Sequence, residues 1–340
     1  MMRISVSAPL AIVMAGLAAT GASAQATLAS VKQKGVLTCG SNRGAPGFGA
    51  PDAQGNWSGL DVDLCRAIAA AIFDDPTKVQ FVPLSAQDRF TALQTGQIDV
   101  LARNSTATMS RDTQLGLEFP AINYFDGQGF MVRKTLGLAS AKELNGKSVC
   151  TDQGTTTELN LTDYFRANNL TYQPVSFANA TEAKKAYEAG RCDAMTTDVS
   201  GLYAMRLTLP NPDDHVILPE VISKEPLGPA VRHGDNQWAD IVRWTFNALL
   251  NAEELGVTKA NVEQMKASDN PEIKRLLGTE GKFGEAVGLT NDWAVRIIRH
   301  VGNYGESFER NVGEGSPLKI KRGQNALWTK GGLQYGIPVR

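Results

Sequence analysis

The chain has 340 residues, a formal charge of -1 and a mean hydropathy of -0.20, with 42% hydrophobic and 20% charged residues. That is a globular composition with length for two compact units, and its neutral balance excludes a nucleic-acid binder, which needs a basic excess for phosphate contacts. Three histidines (His215, His233, His300), far apart in sequence, leave little material for a transition-metal site.

The N-terminus reads as a secretory signal: Arg3, an apolar run from Ala8 to Ala19, and Ala22-Ser23-Ala24 as a small-x-small cleavage site before Gln25. The run is roughly a dozen residues, short of the ~20 needed to span a bilayer, so residues 1–24 are expected to be removed on export. Export changes how the four cysteines read, because disulfides persist in an oxidising compartment. Cys39, Cys65, Cys150 and Cys192 allow three connectivities. If the N-terminal third and the middle form separate lobes, only Cys39–Cys65 with Cys150–Cys192 keeps each bridge inside one lobe. Four free buried thiols are the alternative.

A strand over Val36–Cys39 runs into a glycine-rich loop, Gly40 to Gly59, with Gly44, Pro46, Gly47 and Gly49 making it irregular. A helix opens after Gly59, with Leu64, Ile68 and Ile72 on one face and Asp61 and Asp63 favouring the dipole at its start. Strands at Val79–Val82 and Ile98–Leu101 follow, with a helix from Asp88 between them. The alternation repeats as a strand at Ser148–Cys150, a helix at Thr156–Ala167, a strand at Thr171–Val175, a helix at Thr181–Ala189 and a strand at Asp193–Thr197. This predicts parallel α/β layers, formed twice. Gly129–Arg133 and Val221–Val231 read as extended connectors, so the chain is expected to cross between lobes and back, enclosing a small ligand in the cleft. An amphipathic stretch, Trp238 to Leu250, follows, and Leu327–Tyr335 reads as an ordered extended tail, with disorder as the competing reading.

Gly59-Leu60-Asp61-Val62-Asp63-Leu64, then Ile68-Ala69 and Ile72, resembles the signature of the polar amino acid solute-binding proteins, the periplasmic receptors of ATP-binding cassette importers. Three further segments match in order. In Asn104–Arg111 the resemblance puts Arg111 on the ligand's α-carboxylate, where a planar guanidinium offers paired donors, with Thr106 and Asn104 adding hydroxyl and amide contacts. In Gly154–Glu158 it gives Thr155 and Thr156 to the same carboxylate, although a threonine before a helix is by itself an N-cap. In Asp193–Asp198 it sets Asp198 on the α-ammonium. Val36–Gly40, Gly55–Gly59, Asp88–Phe90, Ser223–Pro229 and the tail Leu327–Arg340 are similar to the general L-amino acid-binding branch.

The resemblance implies a two-lobed type II periplasmic-binding-protein fold with two hinge crossovers. Lobe 1 would comprise residues 25–130 and 225–310, lobe 2 residues 131–224, with the tail 311–340 packed on lobe 1. It implies a monomeric, periplasmic receptor for many L-amino acids that serves the permease subunits of an ABC importer, with no cofactor, metal or nucleic acid. Arg89, Gln87 and Phe48 would line the side-chain pocket, although Arg89 reads equally as an exposed helix residue. The aromatic expected near the start of the glycine-rich loop is missing, Ser41–Ala45 standing there. An enzyme of the cyclohexadienyl or arogenate dehydratase kind is the alternative on this fold, with Glu158 as the one further carboxylate for a general acid. A sensor domain is a third class.

Overall fold

The computed structural model describes residues 26–340; the expected leader and its cleavage point lie outside the described residues. Two sheets organise the chain. The first runs Val79–Leu84, Leu37–Asn42, Val100–Thr106, Glu225–Arg232 and Leu117–Glu118, with Tyr124–Asp126 also pairing on Glu225–Arg232. The second runs Gln173–Phe177, Ser148–Asp152, Ala194–Asp198, Gln128–Arg133 and His215–Ile217. Three neighbouring strands are parallel in each. A strand that has crossed from the other half, Glu225–Arg232 or Gln128–Arg133, then joins antiparallel. This is the expected two-lobed α/β arrangement with two crossovers.

The crossings are shorter than the sequence suggests. Gly129–Arg133 and most of Val221–Val231 are not connectors but interior strands. Between Tyr124–Asp126 of the first sheet and Gln128–Arg133 of the second stands Gly127 alone; the return crossing takes residues 218–224. The two crossings touch: a Cβ on Gly127 would collide with the Val221 side chain and stand 2.8 Å from the Ser223 carbonyl oxygen.

Strand alternation distributes the core. In the second body Phe130, Val132, Val149 and Ala194 face Leu161 and Phe165 of the helix Thr156–Ala167, while Met131, Cys150 and Met195 face Ala183 and Tyr187 of the helix Ala180–Glu188. The helix Leu60–Phe73 is buried on more than the predicted face, because it lies between the first sheet and the helices Asn236–Glu254 and Trp293–Val301. Its two aspartates are therefore buried and do more than meet the dipole. Asp61 accepts from the Asn104 N–H at 2.6 Å and from Asn123 Nδ2 at 2.8 Å. Asp63 accepts from Ser307, Arg310 and Asn311 of the C-terminal helix Tyr304–Asn311.

Both disulfides join the expected partners, Cys39–Cys65 from strand to helix in the first body and Cys150–Cys192 within the second, and no cysteine is free. The C-terminal segment is held by Asn325, whose side chain accepts from the Phe125 N–H and donates to the Phe125 carbonyl. Gln334 donates to the Ile122 carbonyl, and Leu327 is buried.

Gly59 precedes the helix Leu60–Phe73 with φ 136°, and a Cβ there would run into the Phe48 carbonyl, which itself accepts from the Asp61 N–H. Gly59→Ala is expected to destabilise the protein by about 3 kcal/mol, backbone strain and a rigid clash combined. Urea unfolding measures this; a change below about 0.5 kcal/mol would show that the loop relaxes freely.

Candidate functional site

The ends of the parallel strands meet at a cavity of about 330 Å³ between the two bodies, at the lower end of the ~300–1,000 Å³ typical of small-molecule sites. The first body contributes Phe48, Arg89, Arg103, Asn104 and Thr106 to its lining; the second contributes Asp152, Thr155, Thr156 and Asp198.

Asn104, within the strand Val100–Thr106, has φ 33°, in the left-handed region that asparagine tolerates. Its N–H is tied to Asp61, and its Oδ1 accepts from Asn42 Nδ2 at 3.0 Å. Thr155 is the N-cap of the helix Thr156–Ala167, its hydroxyl accepting from the Glu158 N–H at 3.3 Å. Thr156 and Thr106 come from opposite bodies, and their hydroxyl oxygens lie 3.3 Å apart. Both donate to one carboxylate oxygen of Glu225, Thr106 at 2.6 Å and Thr156 at 2.9 Å. The other oxygen accepts from Asn160 Nδ2 and the Ser223 hydroxyl, each at 2.7 Å. Glu225 is fully buried. It was missed in the sequence because its donors lie up to 119 residues away; the one local signal is an acidic residue inside the hinge motif Ser223–Pro229.

Two of the expected site residues stand outside the cavity lining. Arg111 is buried beside the site but does not line the cavity: its Nη1 donates to the Thr106 carbonyl at 2.7 Å, and its guanidinium lies 4.9 Å from the centre of the Phe90 ring. Arg111 sits in the short helix Met109–Thr113, which is capped by the Thr108 hydroxyl accepting from the Arg111 N–H at 3.3 Å. Gln87 is exposed and outside the lining; its Nε2 donates across the cleft mouth to Gln153 Oε1 at 3.1 Å. Arg89, by contrast, is buried and lines the cavity, which excludes the exposed-helix reading. Phe48 lines it too, held edge-on against Tyr124 with ring centres 5.1 Å apart. The lining residues Arg103 and Asp152 went unremarked in the sequence, Arg103 being a single charge within the strand Val100–Thr106 and Asp152 a single charge at the end of Ser148–Asp152.

The electrostatics follow from burial. Asp198 precedes the helix Val199–Leu207, and its side chain makes no cap hydrogen bond. Burial, then the neighbouring Asp126 and Glu225 carboxylates, push its pKa well above the ordinary value, against Arg89 and Arg111. Burial raises Asp126 to about 6, opposed by the hydrogen bond from Ser200. Asp152 also rises to about 6 through burial, against Arg103 and Arg89. On the cationic side burial lowers Arg103 and Arg111 to about 10 and Arg89 well below its usual value. The cavity thus presents buried charges of both signs from both bodies, the pattern that receives a small zwitterion. Glu158 accepts from the Ser176 hydroxyl at 3.0 Å and does not line the cavity. Among the described residues no group of three metal-type side chains occurs, and no helix is long and apolar enough to cross a membrane.

Residues 37–260 match the family of bacterial extracellular solute-binding proteins, family 3. The chain belongs to that family. It is 63% identical over 334 residues to the general L-amino acid-binding periplasmic protein AapJ of Rhizobium johnstonii, covering 97% of this chain and 98% of that one. It is 58% identical to the glutamate/glutamine/aspartate/asparagine-binding protein BztA of Rhodobacter capsulatus, with 97% of each chain covered. A solved periplasmic binding protein of an ABC transporter from Brucella ovis, with glutathione bound, superposes with TM-score 0.91 at 65% identity, covering 92% of this chain and 99% of that one. At these identities the chain is a solute-binding protein rather than an enzyme, and the dehydratase alternative gains no support.

Asp126, Asp152 and Asp198 have folded-state pKa values above the unfolded 3.8, so the native state holds protons that the unfolded chain has released. Their contribution to stability is complete below that unfolded value and is lost as pH rises through about 6 for Asp126 and Asp152. His215, lowered by burial, acts in the opposite sense, and the lowered carboxylates, such as Glu220 and Glu263, do so mainly below about pH 5. The ligand-free protein is expected to melt at a higher temperature at pH 5 than at pH 7.5, with Asp152→Asn flattening the difference. Calorimetric melts across this range check it; a Tm that climbs steadily with pH would refute the assignment.

Proposed function

We propose that the protein captures L-amino acids of several side-chain classes, acidic and amide ones among them, and hands them to the permease subunits of an ABC-type importer. The observation that carries this reading is the cavity between the two bodies, with buried, oppositely charged groups drawn from both. Asp198 would take the α-ammonium. The α-carboxylate would lie at the strand ends around Thr106 and Thr156, in the field of Arg111, with Asn104 beside it. A ligand held from both sides favours the closed form by its differential affinity for it. The closed surface would then be what the permease recognises, with the importer's ATPase driving transport. The relatives' names support an amino acid cargo and a periplasmic location, reached through removal of the leader near Ala24/Gln25; we read the protein as a monomer with lobes as assigned from the sequence.

Glutathione is a second candidate, because the Brucella ovis relative holds it. Its γ-glutamyl end carries the same α-carboxylate and α-ammonium as a free amino acid, so one pair of contacts would serve both.

Ligand-stripped protein titrated calorimetrically with the twenty L-amino acids, glutathione, prephenate and arogenate tests the proposal. Saturable heats are expected for several L-amino acids, and no turnover of prephenate or arogenate. Asp198→Asn is expected to weaken every bound amino acid by roughly tenfold to a hundredfold, since a charge-assisted hydrogen bond is worth about 1.5–3 kcal/mol. Silence toward all amino acids, or a loss confined to one of them, would overturn the reading.

A further inference from the structure

Three charged side chains in the cavity make almost no use of their hydrogen-bonding capacity within the protein. Arg89 is 3% exposed; its Nε is buried without a partner, and its guanidinium lies 4.6 Å from the centre of the Phe90 ring. Arg103 is 7% exposed and uses only its Nε, which donates to the Leu84 carbonyl at 3.0 Å. That bond pins the side chain to the end of the strand Val79–Leu84, two places along the sheet, and leaves both terminal nitrogens free. Asp152, at the end of the strand Ser148–Asp152, has a buried Oδ1 with no partner. None of the three forms an ion pair within 4.0 Å, and all three line the cavity. Buried charges left without partners are costly, and native structures keep few of them without a reason.

We propose that Arg103 and Asp152, with Arg89, form a distal subsite that takes either a carboxylate or a carboxamide at the end of a ligand's side chain. This rests on the amino acid reading above and names the side chains that reading favours. The chemistry works by complementarity at each end. A side-chain carboxylate accepts from the guanidiniums of Arg89 and Arg103 and offsets the one positive charge by which the pair exceeds Asp152. A carboxamide divides itself: its carbonyl oxygen accepts from a guanidinium, and its NH2 donates to Asp152. An ammonium or guanidinium side chain meets two like charges and is disfavoured. Alanine reaches none of the three. Acid and amide are thus admitted by different members of one cluster, which separates this arrangement from a merely spacious pocket.

The test is calorimetric titration of wild type, Arg103→Gln and Asp152→Asn with glutamate, glutamine and alanine. Arg103→Gln is expected to weaken glutamate at least tenfold, glutamine less, and alanine less than twofold. Asp152→Asn is expected to weaken glutamine severalfold while leaving glutamate unchanged or tighter. The glutamate-to-glutamine ratio therefore moves in opposite directions in the two variants, which a general loosening of the fold would not produce. Arg103→Lys, keeping the charge, should restore part of the glutamate affinity. Equal shifts for all three ligands in both variants would overturn the subsite and leave the amino acid reading standing. A wild type that binds none of the three would remove that reading itself. Should Arg103→Gln not fold, the Asp152→Asn ratio alone decides.

Discussion

A carboxylate withdrawn from water must replace its hydration with donors, and Glu225 finds them in three separate segments. Thr106 reaches it from the first sheet, Thr156 and Asn160 from the helix Thr156–Ala167 of the second body, and Ser223 from the return crossing. No donor set confined to one body would complete its shell, so the two bodies are drawn together around it. The approach of Thr106 and Thr156 from opposite bodies is centred on that one carboxylate. It also places a second carboxylate next to Asp198, which helps burial to raise the pKa of Asp198.

The site stores unfavourable electrostatics that a ligand can relieve. Asp126, Asp198 and Glu225 crowd negative charge together, while the guanidiniums of Arg89 and Arg103 are left incompletely matched. A polar network filled halfway is worse than an apolar core of the same shape. A ligand with matching charges would complete it, gaining more than its exposed contacts alone would give. Surrounding apolar anchors, Phe48 against Tyr124 and Phe90 beneath two guanidiniums, fix the geometry in which this happens.

Much of the frame was legible in the sequence, and the reasons are local. The helix Thr156–Ala167 has a threonine cap and apolar residues at Leu161 and Phe165, both short-range signals, and its observed bounds match those read from the sequence. The cysteine pairs followed from the division into two halves. What local pattern could not convey was direction. Gln87 and Arg89 are two residues apart, yet one faces solvent and the other the cavity. Arg111 stands in a recognisable loop, but only the structure shows one of its terminal nitrogens engaged by the Thr106 carbonyl. Glu225, Arg103 and Asp152 act through partners from distant segments, so nothing in their immediate neighbours announces them.

The crossing at Gly127 bears on how binding energy is used. One residue separates a strand of the first sheet from a strand of the second, and the other crossing is packed against it. Few backbone torsions are then available to the relative motion of the bodies, which resembles the swing of a door more than the wandering of beads on a string. An ensemble so restricted surrenders little configurational entropy on closing. More of the intrinsic interaction energy is then left to appear as affinity, and a cargo as small as one amino acid can hold two large bodies shut.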